Sequence, residues 1–328
     1  MKRIAFASLI ISTAVILAPP LRAQQQPNPV VGFLTSGAKS SVSERWVEGF
    51  HRGLGESGYV QNQNVTIEYR AADDQYDRLP GLAGELVRIP SGVIIAAGGP
   101  VSAIAARKAT DSVPIVFTTI SDPVKIGLVA SINRPGGNVT GVAGLTSELD
   151  PKRMEMLLQV KPSTRLVGAL VNPNRPGVDA NIKELQAAAQ TMGLELIIQK
   201  VGASEGLDAA FAELAEKKID ALVVTADPFF NFRRTQVMAL VQRYAIPAVY
   251  QWREFVEEGG LMSYGPSIAD AYHQSGVYAG RILKGAKPAD LPVVQPTRFE
   301  LVINLKTAKT LGLEISPQLL ARADSVTD

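Results

Sequence analysis

The chain contains no cysteine and only two histidines among its 328 residues. The first absence excludes disulfides, thiolate nucleophiles, Fe–S clusters and sulfur-ligated zinc. The second, with His51 and His273 on unrelated stretches, argues against a His-rich metal site or a Ser-His-Asp triad. No serine occupies a nucleophile-elbow sequence, so hydrolase chemistry has no visible machinery. An excess of one charge is missing as well: 33 Lys and Arg face 31 Asp and Glu, which leaves no electrostatic footprint for nucleic acid. Aromatics are sparse at 6%, and beyond the first 23 residues no apolar run is long enough to span a bilayer.

What is present begins with an export signal. Met1-Lys2-Arg3, an apolar run from Ile4 to Ala18, and Pro19-Pro20-Leu21-Arg22-Ala23 combine the features of a secretory signal peptide over residues 1–23: a basic start, a short hydrophobic stretch and a small residue at the cut point. Cleavage near Ala23 removes Lys2, Arg3 and Arg22 and leaves 30 basic against 31 acidic residues. No cysteine follows the apolar run, so lipid anchoring through one is excluded. The expectation is a periplasmic protein that is not itself membrane-spanning once processed.

Past a polar linker, an apolar content of 46% is ample for real cores. Short β-rich runs alternate with helical patterns. The runs are Val30–Leu34, Val65–Tyr69, Val93–Ala97, Ile115–Phe117, Val167–Val171, Leu194–Ile198, Ala221–Val224 and Ala248–Tyr250. Between them lie stripes such as Ile182, Leu185, Ala189 and Met192, spaced by three and four. This alternation predicts parallel sheets covered on both faces. The second run alternates apolar and polar, which marks it as an edge strand of a doubly wound sheet.

The runs form two sets of four, so the predicted fold class is α/β, with two similar doubly wound parallel-sheet lobes joined by a multi-strand hinge. Residues 30–120 plus 262–290 are assigned to lobe 1 and residues 145–250 plus 298–328 to lobe 2. The hinge crossovers are then 118–145, 251–262 and 290–298. Several connections side by side define a hinge axis.

In open α/β sheets ligands gather beyond the carboxyl ends of the strands, where helix N-termini and free loop backbone converge. In the first set those ends hold Ser36, then Gly98-Gly99 with Ser102 opening a helix, then Thr119, Ser121 and Asp122. In the second they hold Asn172 and Asn174, then Asp227 with Phe229, then Tyr250 and Trp252. Two such rims face to face line a cleft suited to a small molecule. Each residue also has a plainer reading. Asp122-Pro123 and Asp227-Pro228 equally suit helix N-caps followed by proline in the first turn. Phe229 and Phe230 suit ordinary core, Arg253 and Glu254 a surface ion pair with each other, and Arg175 a solvated loop. Gly98-Gly99 lacks the Gly-Lys-Ser/Thr of a phosphate loop and the spacing of a dinucleotide fingerprint. No cofactor and no metal are expected.

Three stretches carry a family resemblance. Ser121-Asp122-Pro123-Val124 leads through Gly127-Leu128-Val129-Ala130-Ser131 to Arg134-Pro135-Gly136-Gly137-Asn138-Val139-Thr140-Gly141. Trp252-Arg253-Glu254-Phe255 precedes Gly259-Gly260-Leu261-Met262-Ser263-Tyr264-Gly265, and Phe299-Glu300-Leu301-Val302-Ile303-Asn304-Leu305 lies near the end. Together they resemble the substrate-binding proteins of ABC importers with the type I periplasmic-binding fold, in the branch that includes binders of tryptophan and other aromatic amino acids. Lys125 stands where that family usually has glycine, and Gln61-Asn62-Gln63-Asn64 replaces its usual turn.

The resemblance implies a two-lobed receptor, not an enzyme, that closes on a small-molecule solute and presents it to a membrane permease. It further implies that Gly99, Ser102, Thr119, Ser121 and Asp122 hold the solute's carboxylate and amine. A periplasmic ligand-sensing module for a membrane receptor kinase is the alternative with the same fold.

Overall fold

The computed structural model describes residues 27–38 and 44–328, so the signal segment expected over 1–23 lies outside the described residues. Lobe 1 begins with β1 (Val30–Thr35), α1 (Glu44–Gly55), β2 (Thr66–Ala71), α2 (Leu79–Arg88), β3 (Ser91–Ala97), α3 (Pro100–Ala109), β4 (Ile115–Thr119) and β5 (Val139–Ala143). The chain then crosses to lobe 2 and builds α4 (Asp150–Val160), β6 (Leu166–Val171), α5 (Val178–Met192), β7 (Glu195–Lys200), α6 (Gly206–Glu216) and β8 (Ala221–Val224). It continues with α7 (Pro228–Phe232), α8 (Arg234–Tyr244), β9 (Ala248–Tyr250), α9 (Arg253–Glu257) and β10 (Met262–Gly265). The tail contributes α10 (Ile268–Leu283), β11 (Glu300–Asn304), α11 (Leu305–Thr310), α12 (Pro317–Leu320) and β12 (Ser325–Thr327).

The first sheet has the order β2-β1-β3-β4-β5 and is parallel throughout. The second runs β12-β11-β10-β9-β8-β6-β7, with only the β10–β11 pair antiparallel. Its segment β7-β6-β8-β9-β10 repeats the crossover pattern of lobe 1, and β11 and β12 extend it. The alternating strand β2 is at an edge, as expected. The core follows the period of two along each strand. Ile94 and Ala96 of β3 pack under α2 and α3, while Val93, Ile95 and Ala97 pack under α1 and α10. In lobe 2, Leu222 and Val224 join Phe211, Phe230 and Met238 on one face, and Ala221 and Val223 join Met154 and Leu185 on the other.

Two assignments change. Residues 139–143, expected within a crossover, form β5 and pair along β4, which leaves residues 144–149 as the first connection. β10, expected in lobe 1, pairs with β9 and β11 in the second sheet, because the hydrophobic edge of β9 is adjacent when the chain emerges from α9. The return to lobe 1 comes afterwards, at Pro266-Ser267. There the Ser267 hydroxyl accepts from the Asp270 N–H at 3.2 Å and starts α10.

α10 lies directly against α1. A Cβ at Gly49 would sit 2.7 Å from the Ala269 carbonyl oxygen, and Cβ atoms at Gly53 and Gly276 would overlap the His273 and Phe50 carbonyls. Glycine at these positions brings the two backbones together.

Candidate functional site

The carboxyl ends of both sheets face a cavity of about 290 Å³ bordered by all three crossovers. Lobe 1 supplies Gly98, Gly99, Thr118 and Thr119 from the strand ends, with Trp46 of α1 and Tyr272 of α10. Lobe 2 supplies Pro228, Asn231, Phe232 and Trp252. Four aromatic rings thus share the wall with polar and charged side chains, among them Asp270, His273, Gln295 and Arg298 of the tail.

The rings are set against one another. Trp46 is edge-on to Trp252, with centroids 6.2 Å apart and planes at 70°, and lies 5.6 Å from Tyr272. The Trp46 indole N–H donates to the Glu254 carboxylate at 2.8 Å. Burial raises the Tyr272 hydroxyl, opposed by a hydrogen bond to the Gly98 backbone, so this group stays a neutral phenol. Among the polar groups, Asn231 is buried and its Nδ2 has no protein partner, while its Oδ1 accepts from Arg234 at 3.2 Å. Gly99 caps α3 with φ of 91°, a left-handed conformation that glycine adopts without strain, and Pro100 follows in the first turn. A Cβ at Gly99 would stand 2.6 Å from Pro228 of the opposite lobe.

Below the lobe 2 rim lies a different arrangement, a buried charged network. Asn172 Nδ2 donates to Asp227 Oδ1 at 3.0 Å, and the Phe229 N–H donates to the same oxygen at 2.8 Å. Arg175 Nε lies 3.3 Å from Asp227 Oδ2, and its guanidinium donates to Asn181 Oδ1 at 2.8 Å. Asn181 in turn donates to the Ser147 carbonyl in the first crossover at 3.0 Å. Nearby, fully buried Arg153 donates to the carbonyls of Tyr264 at 2.7 Å and Thr146 at 2.9 Å, and pairs with Asp150. One side chain therefore ties the first crossover to β10, the strand that leads into the second. Burial pushes Asp227 up to about 6, opposed chiefly by Arg175 and Asn172, and also raises Asp150.

The lobes meet across the cleft. Arg233 pairs with Asp74 at 2.6 Å and Arg45 with Glu257 at 3.2 Å, and Asn172 Nδ2 approaches the Tyr76 hydroxyl at 3.4 Å. With Trp46 and Glu254, these contacts describe a closed arrangement.

Of the residues expected at a ligand site, Gly99, Thr119 and Trp252 line the cavity. The others lie elsewhere. Ser36 donates to the Gly98 carbonyl at 2.6 Å and shapes the loop from behind. Ser102 and Ser121 are buried with hydroxyls that have no protein partner and do not line this cavity. Asp122 heads a turn rather than a helix, its Oδ1 accepting from the N–H groups of Val124 at 2.8 Å and Lys125 at 3.2 Å. Asn172 and Asp227 belong to the charged network, and Asn174 borders a second cavity beside Asp74 and Tyr76. Phe229 stacks edge-on against Phe230 in the core, and Tyr250 lies flat on Phe255 at 4.6 Å. Arg175, expected in solvent, is buried because Asp227 and Asn181 compensate it. Arg253 pairs with Glu257 and Glu300 rather than with Glu254.

Trp46, Asn231, Phe232 and Tyr272 were not among the expected residues. Trp46 and Tyr272 belong to helices that do not follow a strand end directly, and Asn231 and Phe232 lie a turn deeper into α7 than Phe229. A tryptophan in the helix just after the first strand was the available signal.

Residues 39–327 match the family of ABC transporter substrate binding proteins. The chain belongs to that family. It is 28% identical over 267 residues to the tyrosine-binding protein of Clostridioides difficile, covering 81% of this chain and 76% of that protein. Among solved structures, the ABC domain in complex with L-Trp from Streptococcus pneumonia superposes with a TM-score of 0.81 at 26% identity, covering 91% of this chain and 99% of that one. A conserved domain protein from Vibrio cholerae superposes at 0.83 with 25% identity, covering 92% and 100%. The fold of this ABC substrate-binding protein is that of the type I periplasmic binding proteins. Among the described residues no helix is long and apolar enough to cross a membrane, and no cluster of three or more His, Asp or Glu is arranged to hold a metal ion.

Proposed function

We propose that this chain is the periplasmic solute-binding component of an ABC importer, that it closes on a carboxylate-bearing solute with an aromatic body, and that it delivers that solute to a membrane permease without chemical change. The observation that carries this reading is the cavity itself: four rings from two lobes enclose a space at the small end of ligand pockets, beside backbone N–H groups at the start of a ten-residue helix. Such a helix start favours an anionic group. The Asn231 amide adds an uncommitted donor from the other lobe. Gly99, Thr119, Asn231, Trp46, Trp252 and Tyr272 are the residues assigned to the solute. A tyrosine-binding relative and an L-Trp complex support the aromatic class. Closure removes water, so each polar contact counts for more, and the closed shape is what the permease reads. Residues 1–23 provide export.

A thermal-shift screen of the processed protein tests the reading. Saturating L-tyrosine, L-tryptophan or L-phenylalanine is expected to stabilise it by about 3 kcal/mol at a hundredfold excess over Kd. Stabilisation by sugars alone would overturn the assignment.

A further inference from the structure

We propose that Glu254 is a positioning residue for solute binding: it holds Trp46 as a wall of the cavity and thereby links solute retention to lobe closure. The inference rests on the solute-binding reading above and adds a residue that does not itself line the cavity. Glu254 lies in the first turn of α9 in lobe 2, and its side chain is buried. A buried carboxylate requires compensation, yet no cation of its own lobe supplies it. The neighbouring Arg253 is committed to Glu257 and Glu300, and Glu254 Oε2 has no partner. The hydrogen bond that Oε1 receives comes from Trp46, 208 positions away in the opposite lobe.

From the other side the logic is the same. Trp46 is 1% exposed, and a buried indole N–H needs an acceptor; Glu254 is the acceptor it has. Trp46 touches Trp252 by its edge and Glu254 by its nitrogen, so the cap and the first turn of α9 fix the side of the indole that faces lobe 2. When the lobes part, the indole N–H and the carboxylate each return to water. The bond is therefore made only with closure, and its contribution appears in how slowly the solute leaves.

Stopped-flow kinetics with L-tyrosine on the wild type, Glu254→Gln and Glu254→Leu tests this. Dissociation from Glu254→Leu is expected to be about tenfold faster, with association within about twofold of wild type. Glu254→Gln, which keeps an acceptor oxygen, is expected to retain slow dissociation. Equal dissociation rates in all three, or an equal loss in both variants, would overturn the proposal while leaving solute binding intact. A wild type that binds no aromatic amino acid would overturn the solute reading instead. The link is then read in the L-tyrosine-saturated proteins from hydrogen exchange of the Trp46 indole proton, identified by its loss in Trp46→Phe. Faster exchange by about tenfold in Glu254→Leu supports it, and equal exchange overturns it.

Discussion

The two rims of the cleft are built on the same strand pattern and are used differently. Lobe 1 presents its strand ends directly to the cavity, through the Gly98-Gly99 backbone and the Thr118 and Thr119 side of β4. Lobe 2 turns its strand ends inward: Asn172 and Asp227 bind each other, and Asp227 holds Arg175, which reaches the first crossover through Asn181. It reaches the cavity one step later, through Asn231, Phe232 and Trp252. The difference shows how small polar residues after a strand can serve either purpose. Where glycine keeps side chains out of the way, the strand end borders the cavity; where Asn and Asp find partners, they fasten the frame.

The largest test of that contrast is Arg153→Met. It leaves buried Asp150 without its cation and releases the Thr146 and Tyr264 carbonyls, so the unfolding free energy from urea titration is expected to fall by about 3–5 kcal/mol. Next is the pH dependence of Asp227. Its proton is held up to about 6 in the folded chain, whereas the unfolded chain releases it near pH 4. The folded state therefore binds more protons between those values. This group's contribution is fully present below about pH 4 and is lost as pH rises through about 6. The difference in unfolding free energy between wild type and Asp227→Asn is expected to decline by about 3 kcal/mol from pH 4 to pH 7. A flat difference would mean that Asp227 ionises in place like a surface carboxylate.

The smallest effect belongs to the cavity rim. In Gly99→Ala the new Cβ meets Pro228 across the cleft and the backbone is strained, so calorimetry with L-tryptophan is expected to show affinity reduced about tenfold, with a stability loss of about 1–2 kcal/mol. Unchanged affinity would show that the lobes need not approach this closely.

The strands were legible because continuous apolar runs bounded by polar turns have few alternatives in an α/β chain. Even the edge position of β2 followed from its alternation. β5 was not, since Thr140 and Gly141 interrupt its apolar character. Nor does a strand's sequence state which sheet it joins, and β10 went to the sheet whose edge was nearest. At the site, position along the chain was readable but side-chain direction was not. Tyr250 ends β9 and Trp252 follows two residues later, yet the first stacks on Phe255 in the core and the second borders the cavity. Trp46 escaped because nothing local in α1 shows that its partner lies in the other lobe.

The bare contact between α1 and α10 gives the cleft its mechanics. α10 leaves the crossover at Pro266-Ser267, and α1 carries Trp46 in its first turn. With no side chains at Gly49, Gly53 and Gly276 to act as a cushion, the two helices behave as one stiff lever pivoting near that crossover. A small rotation there swings the tryptophan toward or away from Glu254 without slack.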